Sequence, residues 1–306
     1  MVMETTQEIK QGDALEVLKT LPSESVDCVI TSPPYFGLRD YGVDEQLGLE
    51  PHFNEYTYKL IAIFDEVKRV LKKEGTCWVN IGDTYSGNKE GKTDAKVSNY
   101  LKETTTRIHK KAVIKEKCLC QIPSRFSIAM TDKGWILRNR IIWHKPNCMP
   151  SSVKDRFTSD YEDILFFVKN KRYYFEQQLE KSIWSEKDAR AINGPSSGGK
   201  VMSGEYAINK GGAFRDDGMR NRRAVWTINT KPFSEAHFAT FPEALIEPMV
   251  LAGCPKNGTV LDPFGGAMTT CVVAKKLGRN SIAIELNPAY IEIGKKRIAG
   301  VTSPLF

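Results

Sequence analysis

The tetrapeptide Ser32-Pro33-Pro34-Tyr35 stands directly behind the apolar run Val26-Asp-Cys-Val-Ile30. The run reads as a buried strand, so the tetrapeptide caps a strand end. One proline or glycine would end a strand. A hydroxyl, two prolines and an aromatic ring together ask for a chemical reason. Proline fixes φ and lacks an N–H, and it holds the residue before it extended. Ser32 and Pro33 are therefore held as stiff oxygen acceptors with no competing donor beside them, and Tyr35 offers a ring face for stacking.

A second group lies near the other end of the chain. Thr259-Val-Leu261 reads as a strand, Asp262-Pro263-Phe264-Gly265-Gly266-Ala267 as a turn, Thr269–Leu277 as a helix, and Ser281-Ile-Ala-Ile284 as a strand closed by Glu285. The glycine pair lets a ligand approach the backbone at a helix N-terminus. A carboxylate some twenty residues on can accept from both hydroxyls of a ribose. The unit suits an adenine nucleoside. It does not suit a dinucleotide, because G-x-G-x-x-G is absent. In an open α/β sheet, ligands sit beyond the carboxyl ends of the strands. The two groups can therefore share one crevice although they are far apart in sequence.

The rest of the chain must place these tips. Apolar residues at helical spacing run from Glu55 to Leu71, and Lys72-Lys-Glu-Gly75 reads as the helix end with a C′ glycine. Strands are expected at Thr76–Ile81, Trp135–Trp143 and Asp163–Val168, with helices at Pro123–Thr131, Phe241–Leu251 and Asn287–Ile298. Helices alternating with strands imply a largely parallel sheet. From Ser86 to Lys117 the chain is polar and rich in lysine and threonine, which reads as a long mobile basic loop. No internal repeat is visible.

The two groups together resemble the amino-group DNA methyltransferases that use S-adenosylmethionine, in the subgroup whose catalytic tetrad precedes the cofactor motif. The family tetrad is Asp, Asn or Ser, then Pro-Pro, then an aromatic; here it is Ser32-Pro33-Pro34-Tyr35. The family cofactor motif is Asp-Pro-Phe-x-Gly-Ser-Gly-Thr-Thr; here it is Asp262-Pro-Phe-Gly-Gly-Ala-Met-Thr-Thr270. Ala267-Met268 departs from the usual Ser-Gly and puts the seating of the cofactor in question, unless Met268 points into the core. Gly12-Asp13 matches the acid near the cofactor adenine, and Phe241-Pro242 a helix start near its methionine end. The resemblance implies cofactor contacts at Asp13, Phe241, Asp262, Phe264, Gly266, Thr269 and Glu285, and no metal. The implied fold is α/β: a Rossmann-like methyltransferase with a mostly parallel central sheet, helices on both faces and a circularly permuted motif order. Residues 1–148 would form the catalytic part, 149–225 the target-recognition region, and 226–306 the S-adenosylmethionine-binding part.

The chemistry fits those residue types. An exocyclic amine is a poor nucleophile because its lone pair is delocalised into the ring. Acceptors around its two N–H groups favour a pyramidal nitrogen and stabilise the positive charge that develops, without a covalent intermediate. The amine is paired in duplex DNA, so the base must leave the stack. Ser at the first tetrad position is associated in the family with cytosine N4; adenine N6 is the alternative. An RNA or protein-glutamine methyltransferase, or a non-catalytic DNA-binding relative, are more distant readings. A basic variable segment favours double-stranded DNA as partner, and the formal charge of +7 agrees with a polyanion. A cognate restriction endonuclease is a possible second partner, with the chain a monomer or homodimer. No targeting signal or bilayer-length apolar stretch is visible, and seven scattered cysteines read as reduced thiols. A cytoplasmic, membrane-free protein is expected.

Overall fold

The computed structural model describes residues 5–38, 46–86, 114–181, 219–231 and 241–301. It divides into a large unit, up to Glu176 and again from Ala224, and a small unit, Gln177–Arg223.

The large unit is built on one sheet. Its strands are β1 (Gln7–Gln11), β2 (Val26–Thr31), β3 (Leu71–Ile81), β4 (Ile136–His144), β5 (Tyr161–Val168), β8 (Val225–Thr227), β9 (Thr259–Asp262) and β10 (Asn280–Glu285). The small unit holds β6 (Leu179–Lys181) and β7 (Met219–Asn221). The helices are α1 (Ala14–Thr20), α2 (Phe53–Val70), α3 (Ile122–Asp132), α4 (Glu243–Gly253), α5 (Thr269–Lys276) and α6 (Pro288–Ala299). The strand order is β1-β10-β9-β2-β3-β5-β4-β8. Only β5 runs against its neighbours β3 and β4; every other recorded pairing in this sheet is parallel. The central strands divide their side chains between two cores. Val29, Cys77, Val79, Leu165 and Phe167 face α1, α2 and α3. Cys28, Ile30, Trp78, Ile164 and Phe166 face α4. Burial on both faces is why these strands read as unbroken apolar runs.

From β2 the sheet is extended by β3 on one side, and from β9 by β10 and β1 on the other. Because β2 and β9 are neighbours, paired in parallel at Cys28–Val260 and Val29–Leu261, their carboxyl ends emerge side by side. That is a topological switch point, where such sheets open a crevice.

One expectation is corrected. Lys72–Gly75 is not a helix end: α2 stops at Val70, Leu71 caps it with its N–H on the Val67 carbonyl, and β3 begins at Leu71. Gly75 is needed for space, since a Cβ there would lie 2.9 Å from the Asp27 carbonyl oxygen. Residues 149–225, expected as the target-recognition region, span parts of both units. β5 belongs to the central sheet, and the separate compact unit starts only at Gln177. Met219–Asn221 forms β7, which pairs antiparallel with β6, and Arg220 and Arg223 both reach Glu180 at 3.0 and 2.7 Å.

Most of the basic segment Ser86–Lys117 lies outside the described residues. Its two ends meet, however: Ser86 N–H donates to the Cys118 carbonyl at 2.8 Å and Lys117 N–H to the Ser86 carbonyl at 2.9 Å. Ser86 and Lys117–Cys118 thus form a neck of paired backbone. All seven cysteines are unpaired. Among the described residues no helix is long and apolar enough to cross a membrane.

Candidate active site

The tips of β2 and β9 are joined by one buried carboxylate. Asp262 Oδ1 accepts from the Thr31 hydroxyl at 2.7 Å and from the Phe264 N–H at 3.1 Å, and its Oδ2 accepts from the Thr270 hydroxyl at 2.7 Å. Burial raises its pKa to about 6 against these hydrogen bonds. Thr31 immediately precedes the tetrad and Phe264 sits in the glycine turn. The clamp thus brings both groups to the wall of one cleft of about 830 Å³. That volume suits a nucleoside-sized ligand and more. Ser32, Pro33, Pro34, Tyr35, Asp13, Phe241, Phe264, Gly266, Thr269 and Glu285 all line it. Asp262 is the exception. It was expected as a cofactor contact, but it lies beneath the wall with both oxygens engaged by the chain itself.

The tetrad is held by elements on both sides. Tyr56 of α2 donates its hydroxyl to the Pro34 carbonyl at 2.9 Å. Among the described residues no donor reaches the carbonyl of Pro33, which lines the cleft. The Tyr35 hydroxyl lies 2.7 Å from Glu162 Oε2 and 3.2 Å from Asn80 Oδ1. Burial first, and then the Glu162 charge, push its pKa well up; a hydrogen bond with Ser32 opposes them. Tyr35 therefore stays a neutral phenol. Its ring lies against the Gly82 backbone, where a Cβ would come within 2.6 Å of the ring edge. Glu162 is shared: Asn80 Nδ2 donates to Oε2 at 3.1 Å and Lys145 Nζ to Oε1 at 2.6 Å.

Asn80, Lys145 and Glu162 also line the cleft, and sequence reasoning did not single them out. One signal was present for Asn80, a carboxamide inside the apolar run Thr76–Ile81. A strand buried on both faces has no place for such a group unless it serves a site.

The cofactor side is built on backbone. Glu285, at the end of β10, accepts from Gly266 N–H on Oε2 and from Asn287 N–H on Oε1, both at 2.7 Å. Burial raises its pKa. Gly12 N–H donates to the Glu285 carbonyl at 3.0 Å, which brings Asp13, the N-cap of α1, to the same rim. Gly266 (φ +49°) and Met268 (φ +59°) are both left-handed. That backbone suits the glycine usual at position 268 and costs a methionine of the order of 1 kcal/mol. The Met268 side chain turns away from the cleft. It is fully buried with Cys271, Ala283 and Ile291, and it fills space that Gly294 of α6 leaves by lacking a Cβ. The departure from the family motif is thus absorbed in the core. On the outer side, Arg297 donates to the Ala267 carbonyl and, at 2.9 Å, to the Thr269 hydroxyl.

S-adenosylmethionine fits this wall. Gly266 presents no side chain, and Glu285, unlike Asp262, lines the cleft, each of its oxygens accepting one backbone N–H and keeping a lone pair that a ribose hydroxyl would meet. The Glu285→Ala variant is expected to bind S-adenosylmethionine at least roughly a hundredfold more weakly by calorimetry, because it loses charge-assisted hydrogen bonds and leaves two N–H groups unpaired. Unchanged affinity would show that the ribose sits elsewhere.

A family model described as DNA methylase matches residues 26–296. The type II methyltransferase M.Cfr9I of Citrobacter freundii is 42% identical over 290 residues, covering 95% of this chain and 87% of its own. M.SmaI of Serratia marcescens is 41% identical over 287 residues, covering 94% and 89%. Among solved structures, the cytosine-N4-specific PvuII DNA methyltransferase superposes with a TM-score of 0.64 at 21% identity over 97% of this chain and 89% of that one. A Thermus thermophilus protein solved with S-adenosyl-L-methionine gives 0.59 at 22% identity over 96% and 93%. The fold is the Rossmann-like methyltransferase fold. By its sequence match and its shared cleft, the chain belongs to the N6/N4 family of S-adenosylmethionine-dependent DNA methylases.

Proposed function

We propose that the chain is a site-specific DNA methyltransferase acting on the exocyclic N4 amino group of a cytosine turned out of the duplex. The observation that carries this is the Thr31–Asp262–Thr270 clamp, which sets the Ser32–Tyr35 acceptors and the Glu285–Gly266 wall on one cleft. Two things support cytosine over adenine: Ser at the first tetrad position, and the likeness to the cytosine-N4-specific PvuII enzyme.

Bound S-adenosylmethionine supplies an activated methyl group on sulfonium. The chain's own residues do the rest. Asp13, Phe241, Phe264, Gly266, Thr269 and Glu285 seat and orient the cofactor. Ser32 Oγ and the Pro33 carbonyl accept the two amino N–H bonds and stabilise the positive charge gathering on nitrogen. Tyr35, fixed by Glu162 and Asn80, stacks on the base. None of these groups needs to act as a strong base, because the amine becomes acidic as its nitrogen turns tetravalent. Its surplus proton passes to water by way of the Ser32 hydroxyl, which accepts it and releases its own.

The small unit Gln177–Arg223, with the segment outside the described residues, supplies target recognition, and a restriction endonuclease of the same specificity is the partner. Relatives named as type II methyltransferases support that context. The test is mass spectrometry of nucleosides from DNA incubated with protein and S-adenosylmethionine. N4-methylcytosine is expected. N6-methyladenine alone would overturn the base assignment, and methylated RNA with untouched DNA the substrate assignment.

A further inference from the structure

A base that leaves the stack leaves a hole, and the loop between β4 and β5 carries a ring that nothing covers. Phe157 is 96% exposed. A singly exposed apolar side chain is ordinary on a protein surface, and Met149 of the same loop is exposed too; what sets Phe157 apart is where its loop is tied. Its surroundings are well tied. Lys145 and Glu162 bracket the loop and form an ion pair at 2.6 Å, and Lys145 N–H donates to the Asp160 carbonyl at 2.7 Å. Asn147 is locked to Thr230 through its Oδ1 and Nδ2, both at 2.9 Å. Further out, Asp155 pairs with Lys117 at 2.7 Å, and the Arg156 guanidinium lies 3.9 Å from the Tyr85 ring centre. Both residues just before Phe157 are thus clamped to the neck, and the ring is held away from the protein.

We propose that this loop is the DNA wedge, and that the Phe157 ring enters the duplex in the space the extruded base vacates. The inference rests on the base-extrusion reading above. Glu162 links the two events in one network, since it binds both the Tyr35 hydroxyl, which fixes the ring that receives the base, and Lys145 at the root of the loop. Charge also suits DNA: the Asp155 carboxylate is paired with Lys117, and Lys154 and the Arg156 guanidinium on the Tyr85 ring add positive charge beside Phe157. Apolar wedges of this kind stabilise unstacked base steps through the contact they gain.

The test uses two synthetic duplexes carrying the site mapped by sequencing of methylated DNA. In one the target base is paired; in the other it lies opposite an abasic nucleotide, where extrusion costs little. Phe157→Ala is expected to slow single-turnover methyl transfer roughly tenfold on the paired duplex and no more than about twofold on the other. Phe157→Trp is expected to retain the wild-type rate on both. Equal slowing on both duplexes would mean a general structural or catalytic role, and no slowing on the paired one would mean no wedge; either overturns the proposal. So would a Phe157→Ala variant that converts a dimer to a monomer in sedimentation without changing the ratio between duplexes, because the ring would then cover a second copy of the chain. A wild-type protein that methylates no DNA base would end the extrusion reading itself, whatever Phe157→Ala does.

Discussion

A Ser32→Ala variant is expected to keep its affinity for S-adenosylmethionine and DNA while methyl transfer under saturating conditions falls by a factor on the order of a hundred. Ser32 lines the cleft at the end of β2, outside the Glu285–Gly266 wall, so its removal leaves the cofactor contacts intact. What is lost is an acceptor that matters most once charge gathers on the amine. A group that acts mainly in the transition state lowers kcat and kcat/KM together and leaves KM alone. The Pro33 carbonyl remains as the second acceptor, so activity should be weak but measurable. Single-turnover kinetics with saturating DNA read this directly. A variant with an unchanged rate and a raised KM for the cofactor would remove Ser32 from the chemistry.

Asp262 carries the second large effect, on stability and its pH dependence. In Asp262→Ala, the Thr31 and Thr270 hydroxyls and the Phe264 N–H lose their common acceptor in the buried joint between β2 and β9. Stranding buried donors costs about 1–3 kcal/mol each where they find no new partner, so a loss on the order of 3 kcal/mol is expected. Asp262→Asn is gentler, because its Oδ1 can still accept from Thr31 and Phe264. The pair of variants also tests the raised pKa. The folded value of about 6 stands above the ordinary 3.8, so the folded state holds the proton more tightly. The stabilisation from that proton is fully present below pH 3.8 and is lost as pH rises through about 6, by about 3 kcal/mol. Urea unfolding from pH 4 to 7 should show the wild type losing stability relative to Asp262→Asn across this window. Parallel curves for the two proteins would refute a buried acid titrating there.

Much of this was legible in the residue order. Val26–Ile30, Thr76–Ile81 and Asp163–Val168 announced strands because burial on both faces excludes polar side chains from all but special positions. Ser32–Tyr35 and Leu261–Ala267 announced strand ends of unusual chemistry. The error at Lys72–Gly75 has a local cause: a lysine pair and glycine after a helical pattern look the same whether the glycine turns a cap or, as here, makes room for the Asp27 carbonyl. Met268 shows the opposite case. Its residue type alone suggested a blocked pocket, and only the missing Cβ of Gly294, 26 positions on, shows where the side chain goes.

By itself, the sequence determined which strand ends carry the Ser-Pro-Pro-Tyr turn and the Glu285 carboxylate, because strand periodicity, prolines and glycines act over a few residues. Only the tertiary structure decided that β2 and β9 lie side by side, that Asp262 clamps their ends together, and that Glu162, Asn80 and Lys145 stand behind Tyr35. Those facts depend on hydrogen bonds between residues as much as 231 positions apart, whose partners no local pattern names.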